Sequence, residues 1–411
     1  MYMADDETEK NRMGPHPLGL HVASATQNWA GAAAAFPLFH LGGMQIHPDL
    51  KQAADDLRQD MAQYDLQELH IMIMKQAQAR LSETLAGITA YQHHAYRRQV
   101  PDRPLFARIG TSEIRDYGMD MPQDSPLVIA IPSLVNPAYI LDLREGHSFM
   151  HALGAGGVRP YLLDWTAPGG EELGFGLEDY ILKRLIPLIR MVHHHHNRKI
   201  HLLGYCMGGN LALAAAQILQ GEEIIESLTL IATPWDFHAG QSPHLPALTE
   251  YFLKMTGPDQ NRTAIPMNIL QLFFFSLDPT LSDRKFRKFS RYAPDDDQTR
   301  NFIAIEDWAN DGAPLSPKLA KDCLINWYQQ NQPQKGQWKI GEQVIDPARI
   351  RMPGHIITPR RDRIVPPASA KALQEKLPHF THTNARGGHV TMIAAENNKE
   401  ILWQKITSCL K

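Results

Sequence analysis

Cys206 stands in Gly204-Tyr205-Cys206-Met207-Gly208-Gly209, between the apolar run Ile200-His201-Leu202-Leu203 and the helix-forming run Asn210–Ala216. That order reads as a strand, a sharp turn and a helix, with a thiol at the apex. Small residues two before and two after the apex let such a turn close without side-chain collisions. The first N–H groups of the helix then face the sulfur and favour the thiolate, which is the nucleophilic form. A thiol nucleophile needs a base, and the base needs an acid to orient it. Asp362 lies in Ile356–Pro367, a short strand followed by an acid-bearing loop and a proline pair that opens a helix near Ala368. His389 lies in Gly387-Gly388-His389-Val390, after the short polar segment Thr381–Asn384. His389 would take the thiol proton, and Asp362 would fix the imidazole tautomer and stabilise its cation. On the residues alone three alternatives stand beside this relay. Cys206 could be an inert cysteine in a glycine-rich connection, Asp362 could pair with Arg360, Arg361 or Arg363, and His389 could be one of twenty histidines resting in a turn.

The elements that must position these groups are legible as alternating strands and helices from Ala107 to Lys411. Such alternation predicts an α/β fold, a mostly parallel sheet with helices on both faces. The chain order nucleophile, acid, histidine is that of the α/β-hydrolase fold. In that fold the residue after the nucleophile, here Met207, gives one oxyanion N–H, and the loop after an earlier strand gives the other. Leu127–Ile131 reads as that strand, so the backbone near Leu134 is the expected second donor. Asn136 is a weaker candidate for substrate contact, since a turn-forming role before Pro137 serves equally well. Residues 236–353 interrupt the core, which comprises 106–235 and 354–411, and read as an inserted cap over the site. The run Leu270–Phe275 in it is expected to be core of that cap. Residues 1–105 form an N-terminal, mostly helical region. Its first twenty or so residues are expected to be only partly ordered. Leu50, Ala53, Leu57, Met61, Tyr64 and Leu66, then Leu69, Ile71, Ile73, Ala77 and Leu81, recur near helical spacing and predict a face packed as core.

From about Ile114 to the C-terminus the chain resembles the polyhydroxyalkanoate (poly-3-hydroxybutyrate) synthases. Gly204–Gly209 match that family's G-x-C-x-G-G box. Pro132–Asp142 match its P-x-x-x-N-x-x-Y-x-x-D segment, and Asp164-Trp165 and Glu178-Asp179-Tyr180 are similar to its D-W and D-D-Y. Thr233–Phe237, Trp308–Asp311, Asp362–Pro366 and Gly387–His389 follow its T-P-x-D-F, W-x-x-D, D-H-[IL]-V-P and G-G-H in order. Three departures lie beside the relay: Arg363 in place of histidine, Val390-Thr391-Met392 in place of I-[AG]-x, and Asn210 where Thr or Ala is common. The resemblance implies an acyltransferase in which Cys206 takes a 3-hydroxyacyl group from its coenzyme A thioester and passes it to a growing polyester chain, releasing coenzyme A. Asp362 would orient His389 or help to activate the incoming 3-hydroxyl. The thioester is the substrate, and no separate cofactor is implied. It also implies a cytoplasmic homodimer with a second synthase subunit or a polyester granule surface as partner. The alternative is a thioesterase or intracellular polyester depolymerase with the same triad, because water could discharge the acyl-cysteine instead.

Composition bounds the rest. Among 411 residues there are 41 basic and 44 acidic ones, a formal net charge of −3, which gives no footprint for nucleic acid. Three cysteines cannot make a disulfide framework and read as a reducing compartment. The acidic start Met1–Glu7 is unlike a signal peptide, and no run reaches the roughly 18 apolar residues of a membrane span. His193–His196 tempt a metal reading, but consecutive residues on a helix do not face one ligand sphere. A solvated helix end, and no metal site, is expected there.

Overall fold

The computed structural model describes residues 12–241, 247, 249–251, 264–395 and 399–411. Of the N-terminal stretch expected to be only partly ordered, residues 1–11 lie outside the described residues, and a helix already starts at Leu18. The chain divides into two compact units, one of residues 97–277 and 304–411, the other of residues up to 96 together with 278–303.

The larger unit is built on an eight-stranded sheet. Its strands are β1 (Leu105–Ile109), β2 (Ser112–Asp116), β3 (Leu127–Ile131), β4 (Arg159–Asp164), β5 (Ile200–Tyr205), β6 (Ile225–Ile231), β7 (Gly354–Pro359) and β8 (Thr381–Ala385). They lie in the order β1-β2-β4-β3-β5-β6-β7-β8, antiparallel at the β1 and β2 edge and parallel elsewhere. Leu127–Ile131 is buried at every position, the signature of a central strand covered on both faces. The helix that follows β5, Met207–Leu219, is apolar nearly all round and carries Ala212, Ala214, Ala215 and Ala216 fully buried. A helix of that composition belongs inside, and its small side chains let it sit close on the sheet. β8 is polar because it is the edge. There, His355 of β7 hydrogen-bonds the hydroxyls of Thr381 and Thr383 on β8.

The smaller unit consists of α1 (Leu18–His40), α2 (Lys51–Met61), α3 (Leu66–His93) and the helix Leu281–Phe289. Asp65 caps α3 by accepting from the Glu68 N–H at 2.9 Å. A Cβ on Gly87 would fall 2.0 Å from the Phe286 carbonyl oxygen, so glycine is what lets α3 and the helix 281–289 touch. Ile88, Tyr91, Phe286, Phe289 and Ile303 form the core between them, and Asp283 accepts from Thr84 Oγ1 at 2.6 Å and Trp29 Nε1 at 2.8 Å. Residues 278–303, read from sequence as part of the 236–353 insertion, thus pack in this unit. The stripe expected as core is core only in part: Met61 and Ala77 are buried, but Leu50, Leu57, Tyr64, Leu66 and Ile71 are exposed. Helical spacing marks one face of a helix; whether that face is covered depends on what packs there.

The histidine run ends the helix Ile186–His196, and Asn197 closes it in the left-handed region. Its last member is not solvated as expected. His196 Nε2 meets the Tyr161 hydroxyl at 2.7 Å and its ring stacks over Phe106. Burial first of all, with Arg159 nearby, lowers its pKa to about 4. The aromatic run lies on the helix Met267–Leu277 and buries Leu270 and Phe273, as expected for core.

Candidate active site

The site grows from the end of β5. Cys206 directly follows the strand and precedes the helix, with φ 56° and ψ −131°. That positive φ is disfavoured for a residue with a side chain, and it lifts the thiol out of the turn. Two neighbours make the turn sterically possible. A Cβ on Gly208 would lie 2.1 Å from the Ile131 carbonyl oxygen, and one on Gly209 would lie 1.9 Å from Thr233 Oγ1. The Cys206 N–H donates to the Ile231 carbonyl at 2.8 Å, which ties the apex to β6.

The acid and the base converge from the ends of β7 and β8. His389 Nδ1 donates to Asp362 Oδ2 at 2.7 Å, with both side chains buried. The other oxygen of Asp362 accepts the N–H groups of Ile364 and Val365, each at 2.8 Å. Its oxygens are therefore engaged by the histidine and by its own loop, not by the arginines beside it in sequence. The His389 imidazole is also coupled electrostatically to the Cys206 side chain. Burial acts to lower the imidazole pKa, but the charges of Asp362 and Cys206 and the hydrogen bond to Asp362 outweigh it and raise it well above the ordinary histidine value. Histidine and aspartate are joined by a hydrogen bond and the cysteine acts on the histidine's protonation, an arrangement able to supply a nucleophile, a base and an orienting acid.

Several supports were not legible as functional residues. Tyr205, the variable position of the G-x-C box, is fully buried and donates from its hydroxyl to the His389 carbonyl at 3.1 Å. Thr391, one of the departures, accepts the Gly388 N–H on its Oγ1 at 2.8 Å and so pins the turn that carries His389. Asn210, another departure, is buried on the nucleophile helix and donates to the Pro234 carbonyl at 2.7 Å. Arg363 is exposed. None of the three disconnects the relay.

The loop after β3 is held from two sides. Trp165 Nε1 donates to the Pro132 carbonyl at 3.0 Å, and Trp308 Nε1 to the Pro137 carbonyl at 2.8 Å. Tyr139, one turn on, donates to Asp311 Oδ2 at 3.2 Å. Leu134 is buried in this loop, and the Ser133 hydroxyl approaches the Met207 sulfur at 3.8 Å, so the loop does meet the start of the nucleophile helix. The Asn136 side chain makes no hydrogen bond to Cys206, Met207 or His389. The first N–H groups of a helix have no partner within it, and this is where a developing oxyanion would be received.

Residues 135–401 match the model of the alpha/beta hydrolase family. The chain belongs to the alpha/beta hydrolase family. Among curated relatives it is 27% identical over 300 residues to the poly(3-hydroxyalkanoate) polymerase subunit PhaC of Allochromatium vinosum, covering 69% of this chain and 82% of that one. It is 29% identical over 275 residues to the protein of the same name from Synechocystis sp., covering 64% of this chain and 72% of the relative. Among solved structures it is similar to a monoacylglycerol lipase from Paleococcus ferrophilus, at 18% identity, 75% and 98% coverage, and a TM-score of 0.47. The strand order of this alpha/beta hydrolase brings the ends of β5, β7 and β8 to one edge, which is why three residues up to 183 positions apart meet. Among the described residues, no helix is long and apolar enough to cross a membrane, and no group of three or more His, Cys, Asp or Glu could hold a metal ion.

Proposed function

We propose that this chain is a polyhydroxyalkanoate synthase-like acyltransferase that polymerises 3-hydroxyacyl groups from their coenzyme A thioesters. The observation that carries this reading is a cysteine, rather than a serine, at the apex of the elbow, electrostatically coupled to a histidine, His389, that Asp362 holds. Similarity to curated polymerases over two thirds of the chain supports it. Thioester-to-thioester exchange is nearly isoenergetic, so an acyl group stays activated on sulfur. Cys206 attacks the thioester carbonyl, the carbon–sulfur bond to coenzyme A breaks, and coenzyme A leaves with a proton supplied through His389. A 3-hydroxyl then attacks the acyl-cysteine, giving its proton to His389 as the ester forms and the Cys206 sulfur is released. Backbone N–H groups at Met207 and near Leu134 receive the oxyanion in both steps. Asn136 supports the loop. The reaction needs no cofactor beyond the thioester substrate. The same reading has the enzyme acting in the cytoplasm as a homodimer, on a granule surface or with a second synthase subunit.

The test is a paired assay of purified protein with 3-hydroxybutyryl-CoA, scoring free thiol and product together, with Cys206→Ala alongside. Thiol release with insoluble polyester, lost in Cys206→Ala, is the expected outcome. Release of monomeric 3-hydroxybutyrate alone would instead identify a thioesterase with the same triad. Sizing of the protein during turnover, with and without polyester, tests the dimer and the granule.

A further inference from the structure

A cavity of about 1280 Å³ opens in the larger unit, and none of Cys206, Asp362 and His389 lines it. Its walls are residues 99–103 ahead of β1, the strand pair Asp142–Arg144 and His147–Ser148, the helix Phe149–Ala155, and the helix Lys399–Cys409 with Lys411 after it. Three of its lining residues each carry a buried polar atom with no hydrogen-bond partner: Asp142 Oδ1, Arg103 Nε and Trp403 Nε1. Buried polar atoms in proteins nearly always have a partner, so three orphans around one cavity mark a place for a polar occupant.

The side chains that bear them are held in place. The other oxygen of Asp142 accepts from the Tyr117 hydroxyl at 2.8 Å, and the residue is 2% exposed. Arg103 donates to His151 Nε2 and lies over the Tyr117 ring, 5.5 Å from its centroid. Trp403 packs edge-on against His147, with ring centroids 5.0 Å apart. A carboxylate oxygen only accepts, so the occupant brings a hydroxyl or amino donor to Asp142. Indole and guanidinium N–H groups only donate, so it brings acceptors to Trp403 and Arg103.

The charges of the lining favour an anion. Among the described residues neither Arg103 nor Lys411 has a carboxylate partner, and Arg144, itself 6% exposed, brings a third positive charge. Against them stand two carboxylates, the buried Asp142 and the exposed Glu145. Val100, Pro101, Ala152 and Ala155 leave part of the wall apolar. Hydroxyl donors, phosphate charge and a flat ring are combined in a ribonucleoside phosphate, and a carboxylate on ribose hydroxyls is a recurrent way to hold one.

We propose that this cavity binds a ribonucleoside phosphate, with Asp142 accepting from the ribose hydroxyls, Arg103 and Lys411 receiving the phosphates, and Trp403 donating to a further acceptor. Two sources share that chemistry: a free nucleotide, and the adenosine phosphate end of a coenzyme A thioester.

The experiment is calorimetric titration of the whole chain with ADP, adenosine and inorganic diphosphate. Binding is read without turnover, so the outcome is independent of whether Cys206 transfers acyl groups. ADP is expected to bind about tenfold or more tightly than either fragment, and Arg103→Gln and Lys411→Gln each to weaken it about tenfold. Asp142→Asn is expected to weaken ADP without weakening inorganic diphosphate. Lys411 is exposed, so its variant keeps the test decisive even where Asp142→Asn does not fold. ADP binding no tighter than that of a fragment, or unmoved by both Arg103→Gln and Lys411→Gln, overturns the site. Displacement of ADP by coenzyme A, with Arg103→Gln weakening both, assigns the cavity to the nucleotide end of the thioester. ADP binding that coenzyme A leaves intact assigns it to a free nucleotide.

Discussion

His389 draws its protonation state from opposed surroundings. Burial favours the neutral ring, while the Asp362 carboxylate and the Cys206 sulfur favour the cation and prevail. A histidine whose folded pKa is raised contributes stability that is fully present below its unfolded value near 6.5. That contribution fades as pH rises through the raised folded value. Asp362→Asn removes the group that does most to raise it. We expect Asp362→Asn to lower the single-turnover acylation rate on the order of 10³-fold, because the imidazole loses both its tautomer and its counter-charge. An acylation rate within threefold of wild type would remove Asp362 from the relay. Tyr205→Phe is a milder case, leaving the His389 carbonyl without its buried donor. It should cost about 1–2 kcal/mol in denaturant melts, with a smaller effect on the rate.

The elements decide how well those side chains are held. The elbow works only because the nucleophile helix approaches the end of β3 closely at Gly208. Gly208→Ala places a methyl against the Ile131 and Pro132 carbonyl oxygens, at 2.1 and 2.5 Å, and backbone atoms cannot yield cheaply. We expect a loss of about 3 kcal/mol or more, read as a fall in melting temperature or soluble yield. Trp308 tests the loop after β3 without touching the elbow. Trp308→Phe removes the donor to the Pro137 carbonyl and should lower the acylation rate several-fold while iodoacetamide alkylation of Cys206 is unchanged. Equal losses in both would mean that the tryptophan merely holds the fold together. The elbow, the acid loop and the histidine loop were legible in sequence because each needs glycine, proline or a charged residue at fixed offsets from a strand. Trp165 and Trp308 were legible only as parts of motifs, since a tryptophan's indole N–H finds its carbonyl across a gap that spacing does not encode. Tyr205 carried no signal of its own role. A phenol inside an apolar run looks like any other core aromatic until its hydroxyl is placed.

At the scale of the whole molecule the mostly parallel sheet was foreseeable from the alternation of strands and helices, and its strand order and the partition of the chain into units were not. Residues 278–303 follow cap sequence continuously, and only their packing against α3 assigns them to the smaller unit. Acid should unsettle the two units by the same route. His21 in the smaller and His355 in the larger are buried, and burial is the largest cause lowering each pKa to about 4. A histidine with a depressed folded pKa binds its proton more readily when unfolded, so stability is complete above about 6.5 and lost as pH falls toward 4. For His355 alone this amounts to something on the order of 2 kcal/mol, and His355→Gln should flatten the fall of melting temperature between pH 6.5 and 4. A fall as steep as that of wild type would place the acid sensitivity elsewhere. One feature of the elbow reaches the folding equilibrium of the entire chain. The left-handed backbone at Cys206 is a conformation that glycine adopts freely and cysteine does not. Cys206→Gly should therefore give an inactive protein that outlasts the active one, melting a few degrees higher for a gain of about 1 kcal/mol. Durability and activity then pull in opposite directions at a single position, and a chain selected only to persist would not keep a cysteine there.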